Sequence, residues 1–264
     1  MGTALRHNRD VSSANKLPYL PWLEPGDAFP RVSSAWDESD PAPGLVAAGR
    51  DLSVATLIEA YSRGIFPWFS AGQPILWWSP DPRTVLRPEV FRLHRSLRKT
   101  LRRLLIDGRL ELRMDHGFER VIQACAQTPR KEQDGTWIVP AMVSAYTALH
   151  HAGHAHSVEA WVDGELAGGL YTVSIGSMVF GESMFSRRTD ASKLALAGLV
   201  AFAHAQNLPL IDCQQDTAHM ATLGSETLSR SEFCERIHWL ADQPSPTWKF
   251  DPVYWKHFFP DDSF

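Results

Sequence analysis

Apolar residues recur at every third or fourth position through much of the chain, a spacing that predicts amphipathic helices. The clearest case is the segment 93–106, where leucines repeat at this interval. The same pattern predicts helices over 51–64, with Ser53 as the N-cap, and over 117–127. A helix is also predicted over 140–151, because proline favours the first position of a helix.

The pattern changes after these helices, where alternation of apolar and polar residues predicts strands. The predicted strands are 157–163, 165–174 and 177–182, the first two joined by a turn at Asp163-Gly164. A nearly uniform apolar segment then predicts a buried helix that is capped by Thr189 or Asp190 and ends near Gln206. A short strand over 208–214 follows, and then a short helix that stops at Gly224.

This order of elements predicts an α+β fold with a mixed, largely antiparallel sheet. Three strands, a crossover helix and a further strand resemble the second half of the Gcn5-related N-acyltransferase fold. Prolines between 67 and 82 disfavour a long helix there, so we expect a small N-terminal domain with a polar tail over 1–84. An acyltransferase-like domain would then span 85–264, and its aromatic C-terminal segment is expected to pack on the body.

Composition narrows the class of protein. The chain has 264 residues, a formal net charge of −4 and only three cysteines. An odd, widely spaced set of cysteines predicts neither a disulfide framework nor a zinc site and favours a reducing compartment. The N-terminus has no apolar signal segment, and the longest near-apolar run, 194–205, is too short to cross a bilayer. We therefore expect a cytoplasmic protein.

Positive charge is concentrated in one window despite the acidic total. Residues 83–113 contain ten Lys or Arg and three Asp or Glu. Five of the cations form a stripe along the helix 93–106, opposite its leucines: Arg95, Arg98, Lys99, Arg102 and Arg103. Such a stripe suits a phosphate backbone, although a solvated helix face has the same pattern.

The strand that ends at residue 214 carries the strongest candidate chemistry. Alternation along a strand places Asp212 and Gln214 on one face and Cys213 on the other. A carboxylate beside a carboxamide can orient an amine nucleophile, but the same pair also occurs at ordinary strand ends. Cys213 is interpreted as a packed small residue. The histidines between 150 and 156 lack a carboxylate at the usual ligand spacing, so no metal is predicted.

Eight motifs in a fixed order then identify a relative. They are 66–69 (Phe-Pro-Trp-Phe), 77–83 (Trp-Trp-Ser-Pro-Asp-Pro-Arg), 135–138 (Gly-Thr-Trp-Ile), 153–157 (Gly-His-Ala-His-Ser), 168–171 (Gly-Gly-Leu-Tyr), 181–187 (Gly-Glu-Ser-Met-Phe-Ser-Arg), 190–193 (Asp-Ala-Ser-Lys) and 211–214 (Ile-Asp-Cys-Gln). Together they resemble the bacterial leucyl/phenylalanyl-tRNA–protein transferase family over roughly residues 44–230.

The resemblance implies that Leu or Phe, sometimes Met, moves from tRNA to proteins that begin with Arg or Lys, which marks them for degradation. It implies that Asp212 and Gln214 are the catalytic pair and that Glu182 helps to hold the acceptor. It also implies that Trp68 and Trp137 bracket the terminal adenosine of the tRNA. The pocket for the amino-acid side chain would be lined by Leu170, Val179, Leu199 and Ile211. The stripe of cations would bind tRNA.

The ester of an aminoacyl-tRNA is already activated, so no cofactor or metal is expected, and nothing in the sequence requires an oligomer. A CoA-dependent N-acetyltransferase is one alternative, but the segment 185–191 lacks the glycines of a pyrophosphate-binding loop. A non-catalytic RNA-binding module is another alternative, which leaves the Asp–Gln pair unexplained. A protein that only recognises N-terminal residues is a weaker third.

Overall fold

The computed structural model describes residues 18–128 and 138–262. Its N-terminal part contains a small sheet with the strand order β1-β2-β4-β3. The elements of this part are β1 (Trp22–Leu23), β2 (Leu45–Gly49), α1 (Val54–Ser62), β3 (Phe66–Pro67) and β4 (Ile75–Trp78). The Ser53 side chain accepts a hydrogen bond from the Thr56 amide and so caps α1, as predicted.

The second sheet has seven strands in the order β11-β5-β10-β9-β8-β7-β6. The elements are β5 (Arg83–Leu86), α2 (Arg95–Ile106), β6 (Leu110–Met114), α3 (Phe118–Gln127), α4 (Pro140–His151), β7 (Ala155–Val162), β8 (Glu165–Ile175), β9 (Met178–Ser186), α5 (Ala191–Ala205), β10 (Ile211–Gln214), α6 (Ala218–Thr222), β11 (Glu226–Leu228) and α7 (Arg230–Ala241). β10 runs parallel to β9, and its other neighbour, β5, is antiparallel. The α+β class and the mixed, largely antiparallel sheet are confirmed.

The large sheet separates two apolar clusters, because successive side chains of a strand point to opposite faces. On one face α1, α3, α4 and α7 pack together with the small sheet. On the other face α2 and α5 pack with the C-terminal segment. Neighbouring residues of β9 illustrate the alternation, since Phe180 belongs to the first cluster and Val179 to the second. The expected boundary after residue 84 falls within β5 (Arg83–Leu86), and the division into two domains stays a prediction.

One local prediction needs correction, and one helix was missed. The crossover helix begins at Ala191, but the Asp190 side chain does not cap it, because Asp190 has a left-handed backbone (φ +65°) and its carboxylate binds Lys193 Nζ at 2.9 Å. The helix α7 was not predicted from the sequence. It has a complete capping box between Ser229 and Glu232, and its buried residues Phe233, Ile237 and Leu240 follow helical spacing, so the sequence did carry a signal for this helix.

The C-terminal segment packs on the body as expected, because Trp255, Phe258 and Phe259 are buried against the cluster around α5. It is also tied to α2. The Arg98 guanidinium donates to the Phe258 carbonyl at 2.6 Å, and Arg102 makes a two-point contact with Asp262 at 2.7 and 2.8 Å. None of the helices in the described ranges is long and apolar enough to cross a membrane.

We expect Gly168→Ala to destabilise the fold by about 1–3 kcal/mol, because an added methyl group would overpack the junction of β8 and α5. A Cβ at this position would lie 2.7 Å from the Ala191 carbonyl carbon and 2.8 Å from the Ser192 amide nitrogen. Urea denaturation followed by circular dichroism measures the loss. Gly117→Ala is the control, since its nearest contact would be 3.4 Å away. Equal midpoints for Gly168→Ala and wild type would contradict the close approach.

Candidate active site

A cavity of about 440 Å³ opens at the end of β9 and β10. This volume lies within the usual range for small-molecule sites. The small sheet, the two strands, α5 and the segment after β10 all contribute to its wall. Its lining includes Phe66, Trp68, Leu170, Glu182, Met184, Leu196, Leu199, Ile211, Asp212, Gln214 and Met220. Apolar side chains from β8, β9, α5 and β10 therefore meet a small set of polar groups from β9 and β10.

The two parallel strands pair only at their beginnings. Ile211 is opposite Val179 and Asp212 is opposite Phe180, after which no further pairs form. The strand β10 then ends in a tight turn in which the Gln215 amide donates to the Cys213 carbonyl at 2.7 Å. Gln214, at the centre of this turn, has a left-handed backbone with φ +58°. A non-glycine residue adopts this conformation only where its surroundings stabilise it.

Asp212 supplies that stabilisation. Its Oδ1 accepts the backbone N–H of Gln214 at 2.9 Å. The same carboxylate receives two hydrogen bonds from Arg83, at 2.8 Å from Nε to Oδ1 and at 2.6 Å from Nη2 to Oδ2. The Arg83 side chain is 1% exposed and that of Asp212 is 0% exposed. Asp212 therefore connects the Arg83 guanidinium on β5 to the backbone turn at the end of β10.

Two aromatic rings and a backbone carbonyl also hold the Arg83 guanidinium in place. It lies between the rings of Phe66 and Phe233, 4.8 and 4.5 Å from their centroids. Its Nη1 donates to the Gly64 carbonyl at 3.1 Å. Arg83 is one of the ten cations counted in the window 83–113, and its burial removes it from the positive surface. The side chain instead connects α7, the small sheet and the candidate catalytic strand.

Glu182 lies on the Gln214 side of the cavity and accepts hydrogen bonds from two tyrosines. Tyr61 donates to Oε1 at 2.7 Å and Tyr146 donates to Oε2 at 3.3 Å. The two phenol oxygens are 2.5 Å apart, and both tyrosines are fully buried. The Gln214 side-chain amide reaches Glu182 Oε1 at 3.4 Å. Sequence reasoning missed both tyrosines, which are separated by 85 positions and meet only in the folded protein.

Burial raises the pKa of Glu182 to about 8, well above its ordinary value of 4.5. The Tyr61 hydrogen bond lowers this pKa, the charge of Asp212 raises it, and the Tyr146 bond and Arg83 lower it. Desolvation outweighs the donors, so Glu182 titrates near neutral pH. Burial also raises the pKa of the Cys213 thiol, which argues against Cys213 as a nucleophile because the thiolate is the reactive form.

Three of the four predicted pocket residues line the cavity: Leu170, Leu199 and Ile211. Val179 does not, because it is fully buried beside Ile211 within the sheet. Met184, Leu196 and Met220 line the cavity in addition. Sequence reasoning did not select them, since methionine and leucine at helical or strand spacing usually mark ordinary core.

Trp68 forms part of the cavity wall and is half-buried. Its backbone carbonyl accepts a hydrogen bond from Trp78 Nε1 at 2.7 Å, and the two rings meet edge to face at 5.6 Å. Trp78 therefore holds Trp68 in a defined orientation. Trp137, the other predicted adenosine-binding residue, lies outside the described residues.

All five cations of the predicted stripe on α2 are exposed, opposite the buried leucines. Two of them, Arg98 and Arg102, are the residues that hold the C-terminal segment. Other cations of the window pair with acids, for example Arg87 with Glu226 and Arg109 with Asp163. The positive surface is consequently smaller than the sequence count indicates. It centres on Arg95, Lys99 and Arg103.

The histidines near the end of α4 have structural partners. His156 Nδ1 lies 2.7 Å from Asp115 Oδ2, and its ring stacks on Trp248 at 4.1 Å. His150 Nδ1 lies 2.7 Å from the Ala155 carbonyl, and its ring stacks on Phe118 at 4.3 Å. These contacts support an interpretation as packing residues.

The loop between β9 and α5 bears on the CoA-dependent alternative. The amides of Arg187 and Arg188 both donate to the Ala167 carbonyl, at 2.7 and 3.2 Å. The Ala191 amide donates to the Arg188 carbonyl and the Ser192 amide to Ser186 Oγ. Since these amides are already used within the loop, they are not available to bind a pyrophosphate.

Comparison with known proteins finds matches over most of the chain. Residues 85–238 match the family described as leucyl/phenylalanyl-tRNA protein transferase, and residues 50–81 match the N-terminal domain of that family. A leucyl/phenylalanyl-tRNA–protein transferase of Polaromonas sp. is 59% identical over 242 residues, which cover 91% of this chain and 95% of the relative. The protein of the same name from Albidiferax ferrireducens is 53% identical over 250 residues, covering 95% and 98% of the two chains.

Similarity to solved structures is distant. The structure of L-PGS from Bacillus licheniformis matches with a TM-score of 0.37 and 10% identity, over 59% of this chain and 50% of that chain. A similarity at this level carries no argument about function.

The buried pair predicts strong coupling between Arg83 and Asp212. We expect Arg83→Met to cost about 3–5 kcal/mol of stability, because it leaves the Asp212 carboxylate buried without a cation. Adding Asp212→Leu removes the unpaired charge and recovers most of this loss. Chemical denaturation of the four proteins of the cycle measures the coupling.

Arg109→Met is the matched control, since Arg109 makes the same two-point contact with Asp163 at the surface. It is expected to change stability little, because water solvates the remaining charge. Additive losses from Arg83→Met and Asp212→Leu would contradict the buried-pair interpretation.

Proposed function

The chain belongs to the leucyl/phenylalanyl-tRNA protein transferase family, and we propose that it transfers Leu or Phe from aminoacyl-tRNA to proteins that begin with Arg or Lys. It is an aminoacyltransferase, and its product would carry a new N-terminal residue that marks the protein for degradation. The observation that carries the proposal is the meeting of an apolar pocket with Gln214 and Glu182 in one cavity.

The aminoacyl side chain would occupy the apolar part of this cavity, in contact with Leu170, Leu199 and Ile211. Its volume supports an aminoacyl group of the size of Leu or Phe, with Met184 and Met220 as adaptable walls. Trp68 would stack on the terminal adenine, and Trp137 is the expected partner from the family resemblance. Stacking on both faces would fix the ester relative to the end of β10.

The acceptor would enter from the side of Glu182. A cationic Arg or Lys at the N-terminus would favour the ionised form of Glu182 and gain a charge-assisted hydrogen bond from it. Gln214 would hold the attacking amine, since its carboxamide oxygen accepts N–H bonds and its nitrogen already faces Glu182. Asp212 would act through Gln214, because its own oxygens are engaged with Arg83 and the turn.

The tRNA would contact the exposed cations of α2. Arg95, Lys99 and Arg103 are the main candidates, while Arg98 and Arg102 would contribute residual charge beside the C-terminal segment. We expect the protein to act as a monomer without cofactor or metal. None of the three cysteines, all of which lie in the described ranges, forms a disulfide. Because aminoacyl-tRNA is the substrate of translation, we assign the protein to the cytoplasm.

A transfer assay tests the proposal. The protein is mixed with Phe-tRNA or Leu-tRNA and a peptide that starts with Arg, without ATP, CoA or metal, and the peptide mass is followed. We expect a gain of one aminoacyl residue, and no gain when the peptide is N-acetylated, because the α-amine is the nucleophile. Gln214→Ala is expected to slow transfer about 100-fold through loss of amine positioning.

Gln123→Ala is the matched control, since Gln123 is exposed on α3 and is not part of the cavity wall. Tight, salt-dependent tRNA binding without any mass gain would favour the RNA-binding module instead. A gain of acetyl mass from acetyl-CoA would support the N-acetyltransferase.

The role of α2 predicts a change in the salt dependence of tRNA binding. Replacing Arg95, Lys99 and Arg103 together by Ala is expected to weaken binding and to reduce the slope of log K against log salt by about 2. Filter binding at several salt concentrations measures this slope. Arg236→Ala, on α7 across the sheet, should leave it unchanged, and an unchanged slope in the triple variant would exclude α2 from the interface.

A further inference from the structure

Glu182 occupies a position that its proposed contact with the acceptor does not fully explain. Two buried phenols, Tyr61 and Tyr146, hold its two carboxylate oxygens from the protein side. Its side chain still forms part of the cavity wall, next to the carboxamide of Gln214. A residue that only attracted a cation would not require a connected pair of buried hydroxyl groups behind it.

The charged and titratable groups that face Glu182 come from four elements: Tyr61 from α1, Tyr146 from α4, Arg83 from β5 and Asp212 from β10. Arg83 is already paired with Asp212, so its charge is largely compensated. No cation among the described residues makes an ion pair with Glu182. The carboxyl group can consequently change its protonation state without breaking a salt bridge.

Asp212 is poorly suited to take up a proton. Its Oδ1 accepts both Arg83 Nε and the Gln214 amide, and its Oδ2 accepts Arg83 Nη2. Protonation would leave the Arg83 guanidinium buried and unpaired. The Gln214 carboxamide is not basic at neutral pH, and the Cys213 thiol is held neutral by burial. Among the described residues of the cavity wall, Glu182 is thus the carboxyl group able to accept a proton.

We propose that Glu182 accepts the proton that the α-ammonium group of the acceptor loses before it attacks the aminoacyl ester. This inference rests on the proposed transferase function and deepens it. Tyr61 and Tyr146 act as positioning residues, because their hydroxyl groups orient the carboxylate toward the cavity. Each phenol has one O–H, so a phenol that donates to the other gives up its bond to Glu182, and the pair can rearrange in this way when Glu182 gains its proton.

The step balances as follows. An N–H bond of the ammonium group breaks and its proton moves to Glu182, leaving a lone pair on nitrogen. That pair forms the C–N bond with the ester carbonyl carbon, and the C–O bond to the ribose breaks. The second proton of the nitrogen leaves with the ribose oxygen, which yields an amide and a free hydroxyl on the tRNA. Glu182 returns its proton to water after the product leaves.

The proton transfer is nearly balanced in free energy. An α-amino group has an ordinary pKa of about 7.7–8.0. The pKa of Glu182, at about 8, is close to this value. Transfer between groups of matched pKa costs little free energy, and a base is most useful when its pKa lies near the working pH.

Glu182→Gln tests the proposal, since glutamine keeps the shape but accepts no proton. Single-turnover transfer from Phe-tRNA to an Arg-starting peptide is measured at saturating acceptor from pH 6.5 to 9. We expect transfer to fall about 100-fold or more at pH 6.5. The deficit should shrink at least about tenfold by pH 9, because the acceptor amine then loses its proton to water. Binding of Phe-tRNA should be unchanged.

Tyr61→Phe gives a second test that does not depend on the folding of the glutamine variant. The Tyr61 hydrogen bond lowers the pKa of Glu182, so its removal should raise that pKa. The acid limb of the rate profile should therefore move to higher pH, with little change in the plateau. Tyr19→Phe is the control, since Tyr19 is 85% exposed.

Three outcomes separate the proposals. A Glu182→Gln deficit that is equal at every pH, or that vanishes at saturating acceptor, would overturn the proton-acceptor role and leave the transferase function intact. An unshifted acid limb in Tyr61→Phe would also count against that role. Absence of transfer by the wild-type protein across the whole pH range would overturn the transferase function itself.

Discussion

The buried contact between Arg83 and Asp212 is the interaction on which the candidate site depends. Removing two charges from water costs several kcal/mol, and apolar residues of similar size often stabilise a core as well or better. The pair is therefore better explained by placement than by stability. Asp212 accepts a hydrogen bond from the Gln214 amide, and the Arg83 guanidinium packs against the rings of Phe66 and Phe233. The strand end, the small sheet and α7 are thus fixed relative to one another.

The same constraint explains why Gln214 can hold an unusual backbone. A left-handed conformation costs a non-glycine residue about 1–3 kcal/mol. The hydrogen bond from its amide to Asp212 offsets part of that cost, and the guanidinium prevents the carboxylate from turning away. The Gln214 side chain is then directed toward Glu182. Loss of Arg83 or Asp212 would therefore leave the Gln214 carboxamide without a fixed position.

Local signals predicted much of the fold. Ser53, Pro140 and the leucine repeat of α2 predicted their helices because a cap, a first-turn proline and an apolar helix face each depend only on neighbouring residues. Alternation likewise predicted the three antiparallel strands. The shared face expected for Asp212 and Gln214 stays a prediction, because the pairing of β10 is irregular between them and Cys213 lines the same cavity. The helix α7 was missed although its capping box and the helical spacing of Phe233, Ile237 and Leu240 are local signals of the same kind.

The candidate site was predicted less completely, for a different reason. Asp212, Gln214 and Glu182 were recognised through motifs, each of which is contiguous in sequence. Tyr61 and Tyr146 carry no such signal, since each is also an ordinary apolar-face residue of its helix. The role of Arg83 was not predicted, because its partner Asp212 lies 129 positions away. Networks formed by tertiary contact leave little trace in local spacing.

The position of the cavity follows from where the sheet stops pairing. The parallel ladder between β9 and β10 ends after Asp212, and the side chains of Glu182 and Gln214 lie beyond it. Within a continuous sheet, neighbouring strands would use the backbone groups and leave no room for a substrate. Separation of the strands creates that room while the paired beginnings remain rigid. At the point where β9 and β10 stop pairing, rigid strands hold Glu182 and Gln214 beside open space. The proposed reaction needs such a place, because an ester, an amine and a proton acceptor must lie within contact distance.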